Sequence, residues 1–390
     1  MKNIFKNKET HQNTKNPRIN NMTAINTLNT VSHLATTVVD YLRSPTAEST
    51  DVNPSLDYTK RIIMLELAVR PFFETEGVLK TLTKETFNFH RQIESAFTND
   101  SSLLKHMEYV ALTIANGAIP HLPFGGRCIF FGPGAIECAA IHNMHNVGKI
   151  AEAVLVDACA LSLLRNALKI PPAIKVVLVQ ADLTGGLLSK AEKVLFELNL
   201  AAKLPGQTAQ EIQKEAYKKF TAVCASFVPK ASLADMLIDQ STLPCVKDAL
   251  QGASFVSSCW ITSQLFLGTY SQILSFILEN NADNTFRKMV VENPKLTKLL
   301  TSLCAKVNAA IVLNHFNLMG HVCNPHGFLF YSDTTVEDRP NNKHVFFEPE
   351  LLVNFEGRHV IRDKASYKWV SPNGKVITHV ESRLFQNGSK

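Results

Sequence analysis

The sequence lacks the cysteine pattern and the leader segment that mark secreted, disulfide-rich proteins. Its eight cysteines form no CxxC pair and are widely spaced, and Cys128, Cys138 and Cys159 lie in apolar surroundings. No apolar segment near the N-terminus has the character of a signal peptide. We therefore predict reduced, buried cysteines and a cytoplasmic location.

Long apolar runs are also absent. A membrane-spanning helix needs ~20 predominantly apolar residues, and no stretch of the chain provides them. Residues 249–278 contain no charged side chain, but serine, threonine and glutamine interrupt them repeatedly. We interpret this stretch as a buried strand followed by a buried helix, and we expect no membrane partner.

The body of the chain has little excess charge. The formal net charge is +6, but residues 1–21 carry five lysine or arginine side chains against one glutamate, which is +4 and leaves +2 for the rest. A nearly neutral body argues against nucleic acid as the partner. The tail 1–22 is rich in asparagine, lysine and threonine, and we predict that it is disordered.

Apolar residues are plentiful, at 45% of the 390 residues, and they follow two different periods. Residues 23–120 show helical spacing, with Ile62, Leu65 and Val69 on one face, and are predicted to form a helical cap. From residue 121 to the C-terminus, short apolar runs alternate with helical segments. These runs are RCIFF, EAVLVDA, IKVVLVQAD, ASFVSSC and FLFYSDTT.

Continuous apolar runs between helices indicate parallel strands that are covered on both faces. We therefore predict an α/β fold for 121–390: a doubly wound, mostly parallel sheet with a helical insertion at 187–250. Near the C-terminus, apolar and polar residues alternate on both sides of Pro372-Asn373-Gly374, which predicts an antiparallel hairpin. We read CNPHG, residues 323–327, as a turn before the fifth strand.

Three strand ends carry groups suited to a nucleotide-bearing ligand. Ligands of open parallel sheets bind beyond the carboxyl ends of the strands. Gly132 and Gly134 follow the first strand, Asp157 ends the second, and Asp182 ends the third. An acid about 20 residues beyond a glycine turn is the usual acceptor for ribose hydroxyls.

Glu137 distinguishes between the ligands that this arrangement accepts. A dinucleotide fingerprint needs G-x-G-x-x-G with the pyrophosphate at the helix N-terminus, whereas this chain reads G-P-G-A-I-E. A carboxylate on the first helical turn competes with phosphate for the positive end of the helix. S-adenosylmethionine has no phosphate and carries a sulfonium and an ammonium, so the sequence favours it over NAD.

The order of IFFGPG, VLVDA, VVLVQADLT, FVSSCWITSQL and HGFLFYSDTT resembles that of class I S-adenosylmethionine-dependent methyltransferases, over roughly 124–385. The resemblance implies that the glycine turn lines the methionine part of the cofactor. It also implies that one acid binds the ribose, that the next strand end borders the adenine, and that two serines face the methionyl end and the substrate entrance. The implied cofactor-binding residues are Gly132, Pro133, Gly134, Asp157, Ala158, Ala181, Asp182, Leu183, Ser257 and Ser258.

Two positions depart from the family pattern. Phe130 stands where the family often has an acid, and Ile136 stands where it often has a further glycine. These departures keep a non-catalytic binding or regulatory protein of the same fold as an alternative. A nicotinamide-dependent oxidoreductase is a second alternative, which Glu137 disfavours.

The sequence names no catalytic residue, because methyl transfer depends mainly on positioning. We expect the methyl acceptor to be a small molecule or a protein side chain. Candidates for its pocket are Tyr58, His315, Asp333, Tyr367 and Trp369. His315, His321, Cys323 and His326 are close together along the chain, but we interpret them as a helix end and a turn rather than a zinc site.

Overall fold

A computed structural model describes the sheet domain and part of the preceding helical segment. The described residues are 101–157, 160–181, 183–184, 187, 206, 208–226, 250–261, 265, 294–340, 342–345, 350–370 and 374–388. The predicted tail, most of the predicted cap and most of the insertion at 187–250 lie outside them, as do Ala158, Cys159 and Asp182.

In the part of the chain that the structure describes, eight strands form one sheet in the order β3-β2-β1-β4-β5-β8-β7, and β6 pairs with β5 off this path. The pairs from β3 to β5 are parallel, whereas β8 lies antiparallel to both β5 and β7. This confirms the predicted mostly parallel sheet with a C-terminal antiparallel hairpin. The strands are β1 (Gly126–Phe131), β2 (Ile150–Asp157), β3 (Lys175–Gln180), β4 (Ala253–Cys259), β5 (Cys323–Arg339), β6 (Asn342–Val345), β7 (His359–Val370) and β8 (Ile377–Asn387).

Helices cover both faces of the sheet, as expected for a doubly wound fold. Phe130, Phe255 and Phe330 face α1 to α3, whereas Phe131 and Tyr331 face α5 and α6. Both layers consist of buried apolar side chains, so the central strands are covered on each side. The helices of the described residues are α1 (Ser101–Thr113), α2 (Ala135–Asn146), α3 (Ala160–Ala167), α4 (Ala209–Ser226), α5 (Pro294–Val322) and α6 (Glu350–Glu356).

The last part of the predicted cap packs directly on the sheet. After α1 the chain continues through a π-helical turn, Ile114–Ala118, and a short 3-10 turn, Ile119–His121. Val110 and Leu122 are buried in the same core layer as these turns. The chain thus enters β1 from a segment that is already part of the core.

The segment CNPHG differs from its prediction as a turn. It begins β5, and Cys323 pairs with Ala253 before the register shifts. His326 has a left-handed backbone, with φ of 66°, so the chain bends here as the sequence indicated, and pairing with β4 resumes at Phe328. The prediction missed only the pairing of Cys323. Gly327 allows close backbone approach, since a Cβ there would lie 3.0 Å from the Ser254 carbonyl oxygen.

Cys128, Cys138, Cys259 and Cys323 are buried and unbridged, as expected for them from the sequence. Within the described ranges, no helix is both long enough and apolar enough to cross a membrane.

Candidate functional site

The strand order reverses beside β1, and in open sheets of this kind ligands bind at such a switch point, beyond the carboxyl ends of the strands. From β1 the chain proceeds to β2 and β3 on one side and to β4 and β5 on the other. Phe131 is in register with Val156 on one neighbour and with Ser258 on the other. The glycine turn after β1 therefore lies level with the ends of both neighbouring strands.

The glycine turn depends on the backbone freedom of Gly132. Its φ is +58°, a region that side-chain-bearing residues rarely adopt. Its N–H donates a 2.7 Å hydrogen bond to the Val156 carbonyl oxygen, which fixes the turn beside the end of β2. A Cβ at this position would overlap the Ile261 side chain, which follows β4. Both the conformation and the available space thus require glycine.

Asp157 ends β2 next to this turn and is largely buried. Its carbonyl oxygen accepts a 3.0 Å hydrogen bond from the N–H of Ala181, which follows β3. The side chains of Ala181 and Leu183 are buried beyond that strand. Four predicted groups, the glycine turn, Asp157, Ala181 and Leu183, therefore follow adjacent strands at one edge of the sheet.

The α2 helix begins directly after the glycine turn, and Glu137 caps it. The Gly134 N–H donates a 2.9 Å hydrogen bond to Glu137 Oε2, which is one half of a capping box. The side chain is only 2% exposed. Burial raises the pKa of Glu137, while interactions with Cys259 and with the Gly134 N–H partly oppose this rise. Sequence reasoning found this carboxylate but did not predict its burial.

We expect Glu137→Gln to stabilise the protein by about 1–2 kcal/mol near neutral pH, because a neutral amide keeps the cap without a buried charge. The folded state holds the Glu137 proton more tightly than the unfolded chain does. The stability that comes from this tighter proton binding is therefore complete below the ordinary pKa of 4.5 and declines as pH rises above that value. Urea unfolding across this range should show the advantage of the variant growing with pH.

Glu211→Gln provides a matched control for that measurement. Glu211 caps α4 in the same way, accepting a 2.9 Å hydrogen bond from the Thr208 N–H, but it is exposed. The hydrogen bonds from Thr208 lower the pKa of Glu211. The native protein should therefore become slightly more stable than Glu211→Gln as pH rises through the acid range. The same trend in both variants would contradict a special role for burial at Glu137.

The two predicted serines of β4 face opposite sides of the sheet. Ser257 Oγ lies 3.6 Å from Cys259 Sγ on the α2 side. Ser258 Oγ forms a 2.9 Å hydrogen bond with Nε2 of His315, which lies on α5. Both members of this pair are fully buried, and burial lowers the pKa of His315 to about 3. Roles for both serines toward a cofactor stay predictions.

The proposed acceptor-pocket residues do not form one group. His315 lies on α5, on one face of the sheet. Asp333 is buried on β5, where its Oδ1 accepts a 2.7 Å hydrogen bond from the Thr334 N–H, and its charge contributes to raising the pKa of Cys259. Trp369 is on β7, four strands from β1 and thus roughly 19 Å away. Tyr367 shares that strand, but its side chain is outside the described part, as is Tyr58.

Both departures from the family pattern are core residues. Phe130 is fully buried, with its ring 6.1 Å from that of Phe255, and Ile136 is buried in the same layer. An acid at position 130 would enter an apolar layer here. These two side chains therefore serve the packing between α2 and the sheet.

Sequence reasoning missed three residues that support the turn. Asn166 on α3 is buried and donates a 2.6 Å hydrogen bond from Nδ2 to the Pro133 carbonyl oxygen. Cys259 interacts with Glu137, and Ile261 covers Gly132. Asn166 had a signal, since it is a polar residue in the apolar segment ALSLLRNAL; nothing in the sequence distinguished the other two. Among the residues that the structure describes, no three potential metal ligands converge.

Comparisons with solved structures give a similarity of fold, whereas comparisons of sequence give none. No protein-family model matches the sequence, and no curated protein sequence matches it. Among solved structures, the chain is similar to the N-methyltransferase NodS from Bradyrhizobium japonicum WM9, determined in complex with S-adenosyl-L-homocysteine. The similarity covers 75% of this chain and 91% of that chain, with 8% identity and a TM-score of 0.34. A functional assignment therefore has to rest on this chain's own residues.

Proposed function

We propose that this protein binds S-adenosylmethionine at the carboxyl edge of its sheet and transfers the methyl group to a small molecule or a protein side chain. The observation that carries the proposal is the joining of two strand ends by one hydrogen bond. The Gly132 N–H donates to the Val156 carbonyl oxygen, which places the glycine turn beside Asp157.

Asp157 suits the ribose of this cofactor. A carboxylate can accept hydrogen bonds from two neighbouring hydroxyls, and such charge-assisted bonds are roughly twice as strong as neutral ones. Ala181 and Leu183 follow the adjacent strand and provide an apolar border for an adenine ring. The resemblance also implies Asp182 and Ala158, which lie outside the described residues.

The first turn of α2 suits a ligand without phosphate. Dinucleotide sites use the free N–H groups of a helix N-terminus to bind pyrophosphate. Here the Gly134 N–H already donates to Glu137 Oε2. The carboxyl therefore removes one phosphate donor and, when ionised, offsets the positive end of the helix. A nicotinamide-dependent oxidoreductase is disfavoured for this reason.

S-adenosylmethionine would supply an electrophilic methyl group when bound. The chain's contribution is positioning, because alignment of the acceptor with the methyl group accounts for much of the rate in such reactions. Gly132 and Pro133 would orient the cofactor, while Asn166 holds the Pro133 carbonyl oxygen in place. We assign no catalytic base.

Calorimetric titration of the full chain with S-adenosylmethionine, S-adenosylhomocysteine, NAD and NADP tests the proposal. We expect binding of the first two ligands and none of the last two. NAD binding without S-adenosylhomocysteine binding would overturn it. Binding of S-adenosylhomocysteine with no methyl transfer to any metabolite or protein fraction would instead support a non-catalytic protein.

We expect Asp157→Ala to weaken the binding of both adenosyl ligands by about tenfold or more, because two charge-assisted hydrogen bonds are lost. Asp157→Asn should give a smaller loss, since its amide oxygen still accepts. The measurement is the Kd for S-adenosylhomocysteine, with the melting temperature as a check on folding. An unchanged Kd in the folded alanine variant would show that the ribose lies elsewhere.

A further inference from the structure

The carboxyl of Glu137 is only partly satisfied, although it is buried. One oxygen, Oε2, accepts from the Gly134 N–H. The other oxygen, Oε1, is inaccessible to water and has no partner that meets the geometry of a full hydrogen bond. The Cys259 thiol interacts with the carboxyl, but a thiol is a weak donor.

Such a group is costly to the fold. A buried carboxylate with an unsatisfied oxygen loses hydration that one hydrogen bond does not replace. A glutamine would provide the same cap without the charge, although it would bury an amide N–H in place of Oε1. Residues that reduce stability in this way are concentrated at functional sites, and this one lies beneath the glycine turn at the switch point.

The backbone next to this carboxyl is also strained. Trp260 follows Cys259 and has a left-handed φ of 54°, which is an outlier for a bulky residue. Its N–H donates a 2.8 Å hydrogen bond to the Ser332 carbonyl oxygen, which holds this corner at the end of β4. An unsatisfied carboxyl and a strained corner thus meet at the same edge of the sheet.

We infer that Glu137 determines which charge the glycine turn accepts: it favours a cationic ligand and rejects one that carries phosphate. The inference rests on the proposed function and adds the basis of its selectivity. S-adenosylmethionine carries a sulfonium charge that S-adenosylhomocysteine lacks, so the preference between these two ligands reports the contribution of Glu137. NAD carries a pyrophosphate and reports the rejection of phosphate.

Capping alone makes a different prediction, which Glu137→Gln can test. The glutamine side chain has the same shape, and its oxygen can still accept from the Gly134 N–H. If Glu137 serves only as a cap, the variant should bind all three ligands as the native protein does. If the charge of Glu137 affects binding, the ratio of the Kd for S-adenosylmethionine to the Kd for S-adenosylhomocysteine should change.

Calorimetric titrations of the native full chain and of Glu137→Gln, at about pH 8 to favour the ionised carboxylate, separate these outcomes. We expect the variant to weaken binding of S-adenosylmethionine relative to S-adenosylhomocysteine by roughly fivefold or more, given the strength of charge interactions at helix termini. We also expect NAD binding to become measurable. Glu211→Gln, with the same charge change at another capping site, should leave all three Kd values unchanged.

Each result has a defined meaning. An unchanged ratio with no gain of NAD binding, in a folded variant that still binds both adenosyl ligands, would overturn the inference and leave the proposed function intact. If the native chain binds neither adenosyl ligand, the proposed function fails. The inference, which rests on that function, then fails with it, whereas the first result overturns the inference alone.

Discussion

We expect Gly132→Ala to lower the free energy of unfolding by about 2–5 kcal/mol and to abolish measurable binding of S-adenosylhomocysteine. A left-handed backbone costs a side-chain-bearing residue about 1–2 kcal/mol. Forcing a methyl group into packed surroundings adds about 1–3 kcal/mol, because the new Cβ would overlap the Ile261 side chain. Urea unfolding measures the first effect, and calorimetry measures the second.

Gly374→Ala is the matched control for this prediction. Gly374 has a similar left-handed φ of +69°, but a Cβ there would meet nothing within 4 Å. Its alanine variant should therefore lose only the free energy that the left-handed backbone costs, and it should still bind S-adenosylhomocysteine. Equal destabilisation by the two substitutions would show that contact with Ile261 contributes nothing.

Acidification should destabilise the native protein through His315. Burial lowers the pKa of His315 to about 3 from an ordinary value of 6.5. The unfolded chain therefore binds this proton more readily, and the contribution to stability is complete above pH 6.5 and is lost as pH falls toward 3. The loss amounts to roughly 3 kcal/mol at about pH 4 and to about 5 kcal/mol at full effect.

Urea unfolding of His315→Gln at several pH values isolates this effect from other acid-sensitive groups. Glutamine is neutral throughout and can still donate a hydrogen bond to Ser258 Oγ. Its stability should fall less steeply with acid than that of the native protein. His142→Gln removes an exposed histidine and should follow the native curve. If stability fell equally with acid in all three proteins, His315 would not be the source of the acid sensitivity.

Local sequence patterns were sufficient to predict the central strands. The run ASFVSSC coincides with β4, Ala253–Cys259, and the hairpin predicted around Pro372-Asn373-Gly374 is confirmed by the pairing of Val370 with Ile377. Apolar runs and turn residues act over a few positions, so a single sequence can reveal them. The segment CNPHG shows the limit, because its bend was predicted while the pairing of Cys323 with Ala253 was not.

The sequence by itself determined that a glycine turn ends the first strand, that Asp157 ends the second, and that a carboxylate occupies the first turn of the next helix. Only the tertiary structure decided that Glu137 is buried against Cys259 and that Ser258 pairs with His315. These contacts join residues far apart in the chain. Their formation depends on the order and register of the strands, which local periodicity does not specify.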